Sequence, residues 1–492
     1  MNTLPDAGSH ITRRSFVKAG TAALTGITLI PRHVLGGPGF IPPSDKVTLA
    51  CVGVGSQGLR VMMDFLQQPD VQIVSVCDVN QGSGIYVEWG NGELRGKVRQ
   101  LLGDDTWGSS EGAWAGLEPA QNVVQRYYAK QQELPNYACS AHTDYRELLE
   151  KEESIDGVVI GTPDHLHAVI AVDAMRHGKH VFCQKPMAHT VEEAKKMADA
   201  AREAGVATQV ATGNTASEAT RLLCEWIWDG AIGPVREVHN WSTRPFWPQG
   251  IARPQDPQPV PSYLNWDLWL GPAPYRPFHT TYQPFIWRGW YDFGSSSIGD
   301  MGCYSFDTIF RVLKLEAPER IEASSTEVFE DSYPLASLVH FSFPARGDMP
   351  PVTLHWYDGR LRPSRPEELG DEELPEEGLL FVGDKGKILC GFNGSRPRLI
   401  PEAAMEAYQP PPQTLPRSIG HYEEWIAACQ GQAVIPGANF ETAQPITETI
   451  LLGNVAVRAG KTLHWDADRR TITTPTDANA YLHLPYREGW ML

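Results

Sequence analysis

In the run VFCQKPMAH, residues 181–189, Lys185 closes an apolar, strand-like segment and stands between Gln184 and Pro186. A charged amine at the end of a buried strand costs desolvation free energy unless a partner or a reaction uses it. Lys185 is therefore the first candidate for chemistry, set against the plainer reading of a surface lysine whose stem snorkels. The second candidate is the run VGVGSQGLR, where Gly53, Gly55 and Gly58 make G-x-G-x-x-G around Ser56 and Gln57, and Asp78 follows twenty residues after Gly58. Glycines at that spacing allow a tight turn and the approach of a pyrophosphate to a helix N-terminus. A carboxylate at the end of the next strand accepts hydrogen bonds from ribose hydroxyls and repels a 2′-phosphate, which favours NAD over NADP.

The elements that must position these residues read as alternating strands and helices. A strand over 47–54 leads into the glycine turn, a helix over about 57–66 and a strand over 71–77. Residues 80–135, rich in Gly and Trp with no sustained period, read as a long irregular insertion over the adenine side of the dinucleotide. The alternation resumes with NYACSAH, DYRELLEKE, IDGVVIG and TPDHLHAVIAVDAMRHG. Thr162 and Pro163 end a strand, Asp164 caps the next helix, and His165 and His167 fall in its first turn. His167 is expected beside the dinucleotide, and with no third clustered ligand no metal site is expected. The following strand delivers Lys185 at its carboxyl end, where open parallel sheets bind their ligands.

The 492 residues carry a net charge of −17 with 42% hydrophobic residues, an ordinary globular composition without the basic footprint that nucleic acid or an anionic membrane requires. Eight cysteines with no Cys-x-x-Cys pair suit neither a zinc site nor a disulfide framework. Near the start, Arg13 and Arg14 directly precede a short apolar run over 19–30, too brief to span a bilayer. Residues 1–36 read as a twin-arginine signal, which implies the twin-arginine export machinery as a partner, a periplasmic destination and no stable membrane span. Between Arg244 and Pro284 the chain is rich in proline and tryptophan. Flat indoles such as Trp290 suit the C–H faces of a sugar ring, and Arg288, Asp292 and Asp300 are placed to hold its hydroxyls, while an equal alternative has the tryptophans simply packing this excursion.

The motifs GVGSQG, TPDHLH, QKPMAHTVEEAKKM, GAIGPVREV, GDMGCYSFD and GDKG together resemble the Gfo/Idh/MocA family, named for glucose-fructose oxidoreductase and inositol dehydrogenase. The resemblance covers nearly everything after residue 45. It implies an α/β fold: an NAD-binding Rossmann domain over 45–212, then an α/β domain over 213–492 with a large, open, mainly antiparallel sheet that often serves a homo-oligomer. The active site is expected between them, with Gly53, Gly55, Ser56, Gln57, Gly58, Asp78, Thr162, Pro163, His167, Gln184 and Lys185 on the cofactor.

Two positions depart from the family pattern. Its Glu-Lys-Pro is Gln184-Lys185-Pro186 here, and loss of the glutamate is expected to ease deprotonation of Lys185. Its usual catalytic histidine in D-x-G-x-H is Tyr304, following Asp300, Met301, Gly302 and Cys303. Lys185, Asp300 and Tyr304 are expected to form one acid/base cluster in which the ammonium lowers the phenol's affinity for its proton. The implied activity is hydride transfer between a tightly held NAD and a sugar, polyol or glycoside hydroxyl. Two alternatives are a redox-neutral, NAD-dependent glycoside cleavage and an NAD-retaining binding protein without catalysis.

Overall fold

The computed structural model describes residues 45–108, 112–131 and 133–492. The expected signal over 1–36 lies outside the described residues. The first strands are β1 (Val47–Val52), β2 (Val71–Cys77), β3 (Ser83–Tyr86), β4 (Ala113–Ala115), β5 (Ser140–His142), β6 (Gly157–Ile160), β7 (His180–Cys183) and β8 (Thr208–Val210). Six of them form a sheet in the order β5-β2-β1-β6-β7-β8, with parallel pairing throughout, and β3 pairs with β4 alone. Strand β1 reads as an unbroken apolar run because helices cover both faces of such a sheet, and Leu49 to Val52 are all buried. Its neighbours are β2 on one side and β6 on the other, so the crevice where the strand order reverses opens above the ends of β1 and β6.

Residues 80–135 are not the irregular insertion that their composition led us to expect. The segment holds β3, β4 and two helices, Glu93–Leu102 and Leu117–Gln131. Leu94, Val98 and Leu102 recur every fourth residue and are buried, a helical stripe hidden in the sequence by flanking glycines and arginines. The second helix is the crossover between β2 and β5. It buries Val123, Val124 and Tyr128, whose hydroxyl accepts from Ile73 N at 2.9 Å.

The second sheet has nine strands: β9 (Val235–Trp241), β10 (Arg320–Ser325), β11 (Ser337–Phe343), β12 (Val352–Tyr357), β13 (Gly378–Gly383), β14 (Gly386–Cys390), β15 (Arg398–Ile400), β16 (Leu463–Asp466) and β17 (Thr471–Thr474). Their order is β15-β14-β13-β9-β12-β11-β10-β16-β17, and every pairing is antiparallel except β9 with β12. Alternation is clean in β11, where Val339, Phe341 and Phe343 are buried and Leu338, His340 and Ser342 are only partly so. Helices Glu218–Trp228, Cys303–Leu313 and Phe440–Ala459 cover the inner face, placing Leu223, Phe306 and Ile450 in one core with Phe341 and Trp356.

A helix from late in the chain ties the halves together. Helix His421–Cys429 comes late in the chain yet packs Trp425 and Ile426 into the core of the first sheet, with Trp425 edge-on to Phe65 and Phe182, each at 5.5 Å between ring centroids. The Trp-rich excursion packs mostly on itself. Trp266 and Trp269 stack at 4.7 Å within a cluster that includes Tyr282, Trp290 and Phe293. Among the described residues no helix is long and apolar enough to cross a membrane.

Candidate active site

The glycine turn is built so that little but glycine fits. Gly53 has φ +79°, and a Cβ there would lie 2.5 Å from Thr162 N, while one on Gly58 would lie 1.8 Å from Gly53 O. Gly58 thus lets helix Ser56–Leu66 press against the turn rather than facing a ligand. That helix begins at Gly55 without a side-chain cap, which leaves its first turn of N–H groups for an anion. Asp78, at the end of β2, accepts from Val54 N at 2.7 Å and from Asn80 N at 2.8 Å. These bonds lock the turn to the neighbouring strand. Burial pushes the Asp78 carboxyl up to about 6 despite them.

The turn opens into a cavity of about 390 Å³ above the switch point. Gly53, Gly55, Ser56, Gln57 and Asp78 line one part, Thr162, Pro163 and Gln184 the middle, and Lys185, Arg288, Asp300 and Tyr304 the other end. The buried Thr162 hydroxyl has no hydrogen-bond partner among the described residues. An uncapped helix start, a glycine cradle and an orphaned hydroxyl on one wall fit a dinucleotide.

At the far end lies a compact charged group. Lys185 Nζ donates to Asp300 Oδ1 and to the Asp300 carbonyl, both at 2.7 Å, and Arg288 Nε donates to the same Oδ1 at 3.0 Å. Asp300 is held by a single wide turn, Ile298–Gly302, with π-type bonding that precedes helix Cys303–Leu313, a local form frequent at functional sites. The Lys185–Pro186 peptide is cis. Arg288 is sandwiched between Phe285 and Trp287, its guanidinium 4.2 Å from each ring centroid.

The charges contradict two expectations. Burial opposes the Lys185 ammonium, but the Asp300 carboxylate outweighs it and holds the lysine well above the ordinary amine range. Asp300 is held well below the carboxylate range, burial being overcome by Lys185 and Arg288. Gln184 therefore does not free Lys185 to deprotonate, because Asp300 supplies the anion that the missing glutamate would have given. The Lys185 ammonium sits 5.0 Å from the centroid of the Tyr304 ring, yet burial raises the phenol's affinity for its proton more than the ammonium lowers it. Tyr304 is a proton donor at neutral pH.

Three other expected site residues lie elsewhere. His167 is fully buried, with Nδ1 2.8 Å from Pro186 O and Nε2 2.9 Å from Thr162 O, so it ties the loops after β6 and β7 together behind the cavity wall. Trp290 is fully buried in the aromatic cluster and donates from Nε1 to Thr281 O at 2.8 Å. Asp292 pairs with Arg276, away from the cavity. Asp164, read from sequence as a helix cap, is the first residue of helix Asp164–Arg176 and instead accepts from Ser295 Oγ at 2.6 Å while lining the cavity. Burial pushes its carboxyl up to about 7 against the pull of Arg288 and Lys185.

Two family models match this chain: the NAD-binding Rossmann fold of the Gfo/Idh/MocA oxidoreductases over residues 113–212, and the C-terminal α/β domain over 235–343. Both halves of the chain are thus similar to domains of that family. Among the relatives, a levoglucosan dehydrogenase of Pseudarthrobacter phenanthrenivorans is 37% identical over 111 residues, 22% of this chain and 28% of that protein. A glycosyl hydrolase family 109 protein of Shewanella baltica is 28% identical over 209 residues, 39% of this chain and 37% of that one. The matched regions thus span well under half the length of these curated relatives. The WlbA dehydrogenases of Bordetella pertussis and Chromobacterium violaceum, both solved with NADH and UDP-GlcNAcA, share the fold at 16% identity. Their TM-scores are 0.52 and 0.53, covering 86% and 87% of this chain and 100% and 98% of theirs.

The cavity also has walls that sequence reasoning missed: Tyr86 and Trp89 near the turn, Phe285 and Trp287 near Arg288, and Trp490 with Thr143 and Asp144. Trp89 and Phe285 meet edge-on at 5.7 Å. No local motif marks these residues. Asp164 did carry a signal, since it lies between the Thr-Pro strand end and the two histidines.

Proposed function

We propose that the protein is an exported, NAD-dependent oxidoreductase that moves hydride between a tightly held nicotinamide and a hydroxyl-bearing carbon of a sugar, polyol or glycoside. The observation that carries this reading is the single cavity shared by the glycine turn and the Lys185–Asp300–Arg288–Tyr304 group. Gly53, Gly55, Ser56, Gln57, Asp78 and Thr162 would hold NAD, and the Asp78 carboxylate disfavours a 2′-phosphate. When bound, the nicotinamide supplies the hydride acceptor or donor. Lys185 and Tyr304, both carrying protons, donate hydrogen bonds to the substrate oxygen and steady the charge that gathers on it. In the oxidising direction the hydroxyl proton must leave to a base. Asp164 is the carboxyl of the cavity whose proton affinity lies near neutrality, which fits it to take and give back that proton.

Export rests on Arg13 and Arg14 before the short apolar run. Outside the cytoplasm no soluble NAD pool is at hand, so the cofactor must stay bound and be regenerated by a second substrate. Mass spectrometry of the dialysed protein, followed by absorbance of the retained nucleotide on adding sugars, tests both points. Retained NAD that changes redox state with a sugar is the expected result; nucleotide lost on dialysis, or inert to every sugar, speaks against it.

A second reading is favoured by the likeness to the glycosyl hydrolase family 109 protein. There the same cavity would oxidise a glycoside, eliminate the aglycone and reduce the product, with no net change in NAD. Release of phenol from aryl glycosides without accumulation of NADH distinguishes it.

A further inference from the structure

The outer face of the nine-stranded sheet, opposite the helices and away from the cavity, carries an aligned row of histidines. His340 on β11 pairs with His355 on β12, and His355 pairs with His239 on β9. Glu237 precedes His239 by two residues on the same strand and so shares its face. One ligating atom from each of Glu237, His239 and His355 lies within 4.8 Å of the other two.

The surroundings prepare these groups for an ion. His239 Nδ1 is 3.0 Å from the Tyr357 hydroxyl, and His355 Nδ1 contacts His340 Nδ1. Each ring is therefore fixed through one nitrogen and keeps its Nε2, the arrangement by which neighbours orient metal-bound imidazoles. The His239 Nε2 is already 3.4 Å from Glu237 Oε2. The two rings lie parallel, 4.7 Å apart between centroids. Nearby cations are committed elsewhere, Arg236 to Asp384 and Lys387 to Glu368, so among the described residues the Glu237 carboxylate has no lysine or arginine ion pair. Glu237 is exposed.

We propose that Glu237, His239 and His355 bind a divalent transition-metal ion of the zinc class, with Tyr357 and His340 orienting the two imidazoles. Two nitrogen donors and one carboxylate favour zinc, nickel or copper over magnesium or calcium, and three protein ligands leave a position for water. The ion would staple β9 to β12, the one parallel pair of the sheet. The ligands come from strands far apart in sequence, which is why no spacing motif announced them.

The test is zinc binding to the full chain, stripped with a chelator and titrated in competition with a chromophoric one, with cobalt as a spectroscopic substitute. The expected result is one saturable site per chain, weakened by roughly tenfold or more in His239→Ala, His355→Ala and Glu237→Gln, together with loss of the intense visible bands of four-coordinate cobalt. His464→Ala, an exposed histidine outside the row, leaves binding unchanged. Glu237→Gln alters only an exposed side chain, so the test does not depend on a buried substitution folding. Absence of a saturable site in the parent, or parent-like affinity in Glu237→Gln and both histidine variants, overturns the proposal.

Discussion

The ammonium of Lys185 donates to both the side-chain Oδ1 and the main-chain carbonyl of Asp300, each at 2.7 Å. Because Arg288 shares that Oδ1, the buried carboxylate stays ionised and the lysine stays charged. The group is a fixed donor array rather than a pair of free bases.

Replacing Lys185 by Ala removes the donor closest to Asp300. A positioned proton donor contributes about 10²–10⁴ in rate, so kcat/KM for a reactive sugar should fall by about that range while bound nucleotide is retained. Asp300→Asn should instead keep the amine but weaken its hold on the proton, moving the alkaline limb of the pH–rate profile to lower pH. An unmoved limb would show that Asp300 does not govern Lys185.

Asp164 makes a pH prediction with a definite sign. Its folded carboxyl is pushed up to about 7 from an ordinary 3.8, so the folded state binds its proton more tightly than the unfolded one. Its contribution to stability is present below about pH 4 and is lost as pH rises towards 7. Asp164→Asn should flatten the dependence of Tm on pH over that window in nucleotide-free protein. The same variant should slow sugar oxidation above neutral pH, where the parent carboxylate is free to accept a proton. Parent-like thermal and kinetic profiles would remove Asp164 from the mechanism.

Glycines at two places should respond in opposite ways to alanine. Gly58→Ala brings a Cβ within 1.8 Å of Gly53 O and should cost both stability and nucleotide affinity. Gly96→Ala, in helix Glu93–Leu102 with nothing within 4 Å of the added carbon, should stabilise by about 0.5–1 kcal/mol. Thermal denaturation with and without NAD reads both.

Two tryptophans only three residues apart should also separate. Trp290→Ala empties a fully buried site and should cost about 3–5 kcal/mol. Trp287→Ala strips one wall from Arg288 at the cavity, so its main effect should be a raised KM for the sugar. Trp287 belongs to the same aromatic cluster, so some stability is lost too; denaturant midpoints beside steady-state kinetics check the contrast, and an equal loss of stability with an unchanged KM would mean that Trp287 serves packing alone.

Much of this was legible in the chain. The glycine spacing, Asp78 at a strand end and Lys185 at another were visible because each is fixed by local geometry within one strand, turn and helix. His167 misled because proximity in sequence to a strand end does not say which way a ring turns, and here two carbonyls claim it. Trp290 and Asp292 misled for a similar reason: in an aperiodic loop nothing local separates a side chain that faces the cavity from one that packs beneath it, and here Trp287 lines the cavity while Trp290 packs. The protonation states of Lys185 and Tyr304 depended on burial and on Asp300, more than a hundred residues from Lys185 in sequence.

Trp425 reaches from the late helix His421–Cys429 into the core beneath the nucleotide-binding sheet. The nucleotide-binding half therefore cannot be treated as a transplantable module. Grafting residues 45–212 onto a foreign partner would strand Phe65 and Phe182 without their third ring, so recombination that preserves function must carry this helix along.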